Sequence, residues 1–359
     1  MTLVCGIRKR FGRGDEKNER ITFKIKISME QSSLRQIFQS FNDMTVLIVG
    51  DVMLDSYIWG AVERISPEAP VPIVTVKQKD YRLGGAANVA LNIHALGAKP
   101  ILCALIGQDD DGKKLLHRLD DRSISKEGIV ISKSRPTTVK TRIIASHQHV
   151  VRVDEESDAE VNEVEEKMLL DRIEKLIPLC QVVVFEDYDK GVLNSNIIDK
   201  TTQWAKEHGI PTVVDPKKRN FLSYKNVTLF KPNLKELREG LKVEVEAGNQ
   251  DQVANAVELL KLKLNAQGVM VTLSEHGVYI DYEQKKIKLP AHVREIADVS
   301  GAGDTVISIV ALCVALNLSP QLIASLSNLG GGLVCQHVGV VPINKEEFLE
   351  EALAEKING

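Results

Sequence analysis

The run Val299-Ser300-Gly301-Ala302-Gly303-Asp304-Thr305 places two glycines, an alanine and an aspartate ahead of a long apolar stretch. It predicts a tight turn that enters a helix. With no bulky side chains, the amides of Gly301, Ala302 and Gly303 can approach an anion closely, and the unpaired amides and the helix dipole favour negative charge there. Asp304 stands beside that cradle. A carboxylate so placed can take the proton of an attacking hydroxyl while the amides stabilise charge on a transferring phosphoryl group. The same residues also suit an ordinary glycine-rich turn with an aspartate cap. The choice between the two readings depends on the elements around the motif.

Those elements alternate. Thr45–Val49, Ile101–Ile106, Val182–Phe185, Thr212–Val214, Thr228–Phe230 and Val269–Thr272 are short, nearly continuous apolar runs, as expected for strands buried on both faces. Between them lie helical patterns at Ala86–Leu96, Asp109–Leu119, Val161–Ile177, Ser195–His208 and Gln252–Leu264, with Gly97 and Gly209 where helix C-caps belong. The order predicts an α/β fold with a mainly parallel sheet covered on both faces. Ligands of such folds collect beyond the carboxyl ends of the strands, where the Gly301–Asp304 turn is expected. Two segments break the alternation. Residues 57–77 (with Pro67, Pro70 and Pro72) and 137–153 read as strands outside the main sheet that form a small antiparallel lid.

Composition narrows the class. The 359 residues are 43% hydrophobic and 26% charged, with a formal net charge of -3 and 4% aromatics, which argues against nucleic acid as a partner. The apolar stretch after Thr305 is interrupted by Asn317, Ser319, Pro320 and Gln321, so it reads as two buried helices and not a membrane span. The five cysteines are dispersed and form no C-x-x-C pair, consistent with free thiols in a reducing cytoplasm. His94, His147, His149 and His276 show no metal-ligand spacing supported by carboxylates. Residues 1–28 are basic, without the apolar core of a secretory signal, and are expected to be disordered. Met29 begins an amphipathic helix through Phe41, and residues 1–43 read as an N-terminal extension ahead of one domain over 44–359.

Several blocks in order then resemble the ribokinase-like (PfkB) carbohydrate kinases, from about Met44 to Leu353. They are Gly50–Asp55, Arg64–Pro72, Gly84–Ala90, Glu186–Gly191, Asp215–Lys217, Lys231–Glu236, Thr272–Gly277 and Gly301–Asp304. The Arg64–Pro72 block is similar to the subgroup of bacterial heptose-7-phosphate kinases that serve ADP-heptose synthesis. The resemblance implies a three-layer sandwich with a small β lid and a reaction using ATP and Mg²⁺. Dependence on a monovalent cation stays open. Phosphoryl transfer would go to the anomeric hydroxyl of D-glycero-D-manno-heptose 7-phosphate, with Asp304 as base. Another PfkB sugar kinase, or a catalytically silent binding protein on the same fold, are the alternatives; intact Asp304, Asn233 and Glu236 argue against the silent form.

The resemblance also distributes roles. Asp51, Asp55, Gly84, Gly85 and Asn88 would bind the sugar, although an aspartate at a strand end also serves as a cap. Lys140, Arg142, Arg152 and Lys190 would face the phosphate already on the substrate, a task suited to arginine. Asn233 and Glu236 would organise the Mg²⁺–phosphate region, Glu236 through water. Thr272, Ser274 and Gly277 are similar to the nucleotide loop and Asn328 to a residue flanking the adenine. Leu273 departs from the arginine often found in relatives. No G-x-x-x-x-G-K-[ST] loop is present. Nothing in the chain is similar to the nucleotidyltransferase pattern of bifunctional relatives, so adenylyl transfer is expected from a separate protein. The lid segments are expected to pair two copies into a homodimer.

Overall fold

A computed structural model describes residues 34–145, 148–292 and 295–357. The chain enters through α1 (Leu34–Ser40), β1 (Thr45–Gly50), the long strands β2 (Val52–Ile65) and β3 (Pro72–Gly85), then α2 (Ala86–Ala95), β4 (Lys99–Gly107), α3 (Asp110–Asp120) and β5 (Ile129–Ser132). It continues through β6 (Val139–Ala145), β7 (Gln148–Glu155), α4 (Glu163–Leu176), β8 (Val182–Glu186), α5 (Ser195–Glu207), β9 (Thr212–Asp215), β10 (Leu229–Phe230), α6 (Leu234–Leu241) and α7 (Gln250–Leu264). The last elements are β11 (Gly268–Thr272), β12 (Val278–Tyr282), β13 (Lys285–Leu289), α8 (Ala302–Ala315), α9 (Pro320–Val334) and α10 (Lys345–Ala354).

The main sheet has the order β13-β12-β11-β10-β9-β8-β1-β4-β5. It is parallel from β11 to β5, with β12 and β13 added antiparallel at one edge. The apolar runs explain why it is covered twice. Val46 and Ile48 of β1 point into one core with α2, α8 and α9, whereas Leu47 and Val49 point into the other with α4, α5 and α7. This is the three-layer arrangement expected from the alternation.

The second sheet has the order β3-β2-β6-β7 and lies outside the main one. It is longer than the expected lid segments, and it is mixed where an antiparallel lid was expected. The central pair β2 and β6 is parallel, flanked by the antiparallel pairs β2–β3 and β6–β7. The cause is topological. Both β2, continuing from Asp51 after β1, and β6, leaving Thr138 after β5, depart from the carboxyl edge of the main sheet, so they run side by side in one direction. The Leu54 amide donates to the Thr138 carbonyl where they start (2.9 Å).

Residues 34–43 pack onto the domain through one apolar face, where the sequence reading had 1–43 as an extension. Ile37, Phe38 and Phe41 are buried. Phe38 lies 4.9 Å, ring centre to ring centre, from Phe348 of α10 and so ties the beginning of the described chain to its end. The expectation for residues 1–28 concerns positions outside the described residues, as does His147. Cys103, Cys180 and Cys313 are buried free thiols and Cys335 is half-buried. No helix among the described residues is long and apolar enough to cross a membrane.

Candidate active site

The Gly301–Asp304 motif forms the first turn of α8. Gly301 is its N-cap with φ 80°, and no side chain caps the helix. The Ala302 amide turns back to the Val299 carbonyl (3.3 Å). Of the amides expected in the cradle, that of Ala302 is thus engaged, while Gly303 and Asp304 hold first-turn positions whose amides a helix leaves unpaired. A Cβ added at Gly303 would meet only Asp215 Oδ2, at 3.7 Å, so the space in front of this turn is open.

Asp304 is buried, and both of its oxygens are held. Asn88 Nδ2 donates to Oδ2 at 2.6 Å and the Tyr188 hydroxyl donates to Oδ1 at 2.7 Å. Burial pushes its pKa up to about 6; the two hydrogen bonds and Lys217 work in the opposite direction, and Asp215 adds to the rise. A carboxylate poised there can accept a proton at neutral pH. Asn88 is placed by the start of α2 and Tyr188 by the loop after β8, so three separate elements converge on one carboxylate.

Asp51 has a different setting from Asp55. Its Oδ2 accepts the amides of Tyr188 (2.8 Å) and Lys190 (3.1 Å), and its Oδ1 accepts that of Val192 (3.1 Å). Asp51 is thus a buried anchor for the loop that carries Tyr188, with both oxygens engaged by backbone amides where the sequence reading gave it to the sugar. Burial is the largest influence on its pKa, which is raised despite those three donors. Asp55 of β2 is paired with Arg142 of β6, which lies two residues beyond its register partner Lys140. The glycine pair fits these two aspartates. A Cβ at Gly84 would strike Asp55 Oδ2, and one at Gly85, where φ is +59°, would strike the Asp51 carbonyl at 2.5 Å.

The four cations expected to face a phosphate all carry carboxylate partners. Lys140 Nζ lies 2.9 Å from Glu156 Oε2 and 3.4 Å from Asp154 Oδ2, Lys190 Nζ lies 2.7 Å from Glu156 Oε1, and Arg152 lies 3.0 Å from Asp154. Arg152 is the most exposed of them, with 59% of its side chain open to solvent.

On the other side of Asp304 a second charged group was only partly legible. Asp215 at the end of β9 pairs with the buried Lys231 at 2.8 Å, and Lys217 pairs with Glu236 at 2.8 Å. Burial opposes the charge on Lys217, yet Asp215 and Glu236 hold its pKa above the ordinary lysine value. Asn233 and Glu236 form a capping box at the start of α6, the Asn233 side chain accepting the Glu236 amide and Glu236 Oε2 accepting the Asn233 amide. Glu186, at the end of β8, is fully buried and neither of its oxygens has a partner. Burial, then Asp215 and Asp304, raise its pKa well above the carboxylate range. A buried carboxylate with no hydrogen-bond partner suits a cation, whereas no group of three or more His, Cys, Asp or Glu among the described residues could hold a metal alone. A cation here would complete its shell with other ligands, such as phosphate oxygens.

Thr272 lies beside Asn233 through a bridge between strand ends, and Ser274 begins the short turn that follows. Gly277 has φ 83° and a Cβ added there would strike the Leu289 carbonyl, so its glycine requirement arises from the backbone at the end of β13. Leu273 is buried rather than presented to solvent. Asn328 of α9 donates to the Pro290 carbonyl at 2.8 Å. Tyr188, Glu186, Asp215, Lys217 and Lys231 are the groups around Asp304 that the sequence reading did not single out. They sit inside the blocks Glu186–Gly191, Asp215–Lys217 and Lys231–Glu236, and their position at strand ends was the available signal.

The chain is similar to several known proteins. The model of the "pfkB family carbohydrate kinase" matches residues 44–346. "Bifunctional protein HldE" of Syntrophotalea carbinolica is 36% identical over 327 residues, covering 91% of this chain and 66% of that protein. Its counterpart in Wolinella succinogenes is 38% identical over 306 residues, 85% of this chain and 64% of that protein. The chain thus spans a little under two thirds of the length of these curated relatives. Among solved structures, Escherichia coli phosphofructokinase-2 in its tetrameric inhibited form superposes with a TM-score of 0.71 at 19% identity, over 87% of this chain and 98% of that one. Arabidopsis thaliana ribokinase complexed with ribose and ATP gives 0.67 at 17% identity, over 86% and 99%. These two likenesses establish the fold, and the family match and the curated relatives establish kinship: the chain belongs to the pfkB family of carbohydrate kinases.

Proposed function

We propose that the protein transfers the γ-phosphoryl group of ATP to the anomeric hydroxyl of D-glycero-D-manno-heptose 7-phosphate, giving the 1,7-bisphosphate for ADP-heptose and lipopolysaccharide core synthesis. The observation that carries this reading is the Asp304 carboxylate, clamped by Asn88 and Tyr188 in the first turn of α8 beside the open space at Gly303. Asp304 takes the hydroxyl proton as the oxygen attacks in line. The Gly303 and Asp304 amides face the charge that develops on the transferring group. The choice of a heptose phosphate is supported by the Arg64–Pro72 block and by the relatives named HldE.

Asp55, Asn88 and the glycine pair would orient the sugar, and Lys140, Arg142, Arg152 and Lys190 would receive its phosphate. Thr272, Ser274, Gly277 and Asn328 would line the nucleotide. When bound with the nucleotide, Mg²⁺ neutralises phosphate charge; Glu186 and, through water, Glu236 are the residues that would hold it. We also propose a homodimer formed through the second sheet and a cytoplasmic location. A panel of sugars and sugar phosphates, assayed for ATP-dependent phosphorylation, tests the substrate. Preference for ribose or fructose 1-phosphate would replace the heptose reading with that of another kinase of the family.

A further inference from the structure

We propose that Glu156 is a built-in occupant of the subsite for the substrate's own phosphate, and that it competes with that phosphate for Lys140 and Lys190, which lowers the affinity for phosphorylated sugars and excludes weaker anions; this rests on the functional reading above. The motivating geometry is a carboxylate gripped by two lysines from distant parts of the chain. Lys140 from β6 binds one of its oxygens and Lys190, from the loop after β8, binds the other, at 2.9 and 2.7 Å. Both lysine side chains are largely shielded, 17% and 16% exposed. Two ammonium groups brought together repel each other, and a bridging anion removes that cost. A phosphate dianion satisfies the pair better than one carboxylate does.

The supports of the two sides differ. The lysines are fixed: Lys140 sits within a paired strand, and the Lys190 backbone is bound to Asp51 in the same loop that delivers Tyr188 to Asp304. Glu156 lies one residue past the end of β7, outside regular structure. The neighbouring residues remain tied down, because Arg135 donates to the Ser157 carbonyl at 3.0 Å and Arg219 to the Asp158 carbonyl at 2.6 Å. The Glu156 side chain can therefore leave while its backbone stays. Around it stand the cations Lys140, Lys190 and Arg152 and the carboxylates Asp154 and Glu156, so a dianion that replaces Glu156 leaves the group neutral.

The consequence is a threshold. An unphosphorylated sugar leaves Glu156 in place and gains nothing from the lysines. A singly charged group must compete with a tethered carboxylate at high effective concentration. Only a ligand that binds both lysines more strongly than Glu156 does gains from the exchange.

The test compares wild type with Glu156→Gln and Glu156→Ala. Steady-state kinetics use heptose 7-phosphate, the unphosphorylated heptose and ATP, and thermal midpoints are recorded with and without inorganic phosphate. In both variants the KM for the sugar phosphate should fall by roughly ten-fold, the scale of one charge-assisted contact. The KM for ATP and for the unphosphorylated heptose should hold. Inorganic phosphate should raise the thermal midpoint of Glu156→Gln more than that of wild type, and adding Lys190→Met should abolish the gain. An unchanged or higher KM for the sugar phosphate in both variants, with no added response to phosphate, would overturn the proposal. The thermal readout needs no turnover. If wild type phosphorylates no sugar phosphate, the functional reading falls while the phosphate response still decides the role of Glu156.

Discussion

The Tyr188 hydroxyl donates a 2.7 Å hydrogen bond to Asp304 Oδ1, so the loop after β8 and the first turn of α8 meet at the carboxylate we assign as the base. The bond favours the ionised form, against the burial that raises the Asp304 pKa to about 6. Tyr188→Phe removes that support. The acid limb of the kcat/KM profile should move up by about one pH unit, the size of a hydrogen bond to a charged group. A pH–rate series on both proteins checks this, and an unshifted limb would mean that Tyr188 does not act on the base.

Asp304→Asn keeps the shape and removes the proton acceptor. Turnover should fall by roughly 10²–10⁴-fold while ATP binding persists. Stability should change in a defined direction. The folded-state pKa of about 6 lies above the ordinary value of 3.8, so the fold favours the protonated acid. That stabilisation is complete below about pH 3.8 and is lost as pH rises through about 6. Wild type should therefore lose thermal stability relative to Asp304→Asn across this window and hold a constant difference above it. Thermal unfolding at a series of pH values measures the trend; a wild type that gains stability relative to Asp304→Asn as pH rises through this window would contradict the sign.

The interlock of Phe38 with Phe348 predicts how far the N-terminus can be shortened. A chain beginning at Met29 should keep activity and thermal midpoint. Phe38→Ala should cost about 3–5 kcal/mol, the usual range for removing a buried phenylalanine. Denaturant unfolding of the two proteins separates these expectations. A Phe38→Ala protein as stable as wild type would show that α1 contributes little to the core.

The elements read most easily from the sequence were those whose periodicity is set by burial alone. The double-faced strands Thr45–Gly50 and Val182–Glu186 and the helix ending at Gly97 fall within a residue or two of their expected limits. The β12–β13 edge was missed because Tyr282-Glu283-Gln284-Lys285 turns without glycine or proline, using positive φ at Glu283 and Gln284. The parallel join of β2 to β6 depends on where two distant segments leave the main sheet, which no local pattern encodes. In the site, Asp304 stood out because its motif is contiguous. Asp51 was indistinguishable from Asp55 in sequence, since both follow strand 45–50 closely; only the fold turns the first to the Tyr188 loop and the second to Arg142. Glu186 was hidden within a block of acids, and its missing partners are a property of packing.

The second sheet exposes apolar residues in its outer half, among them Val62 (36%), Ile65 (60%), Val76 (48%) and Val151 (47%). Exposed edges and apolar surface of this kind favour pairing with another copy. Sedimentation at micromolar concentration should show a dimer, and Val151→Glu should shift it toward monomer. A wild-type monomer with full kinase activity would contradict the proposed assembly.

The most direct test is phosphoryl transfer from ATP to D-glycero-D-manno-heptose 7-phosphate, followed by phosphorus NMR of the product with wild type and with Asp304→Asn. The account predicts a new phosphate on the anomeric oxygen with wild type and a loss of roughly 10²–10⁴-fold in rate with the variant. Absence of transfer to the heptose phosphate while another sugar is phosphorylated, or equal rates from the two proteins, would contradict it.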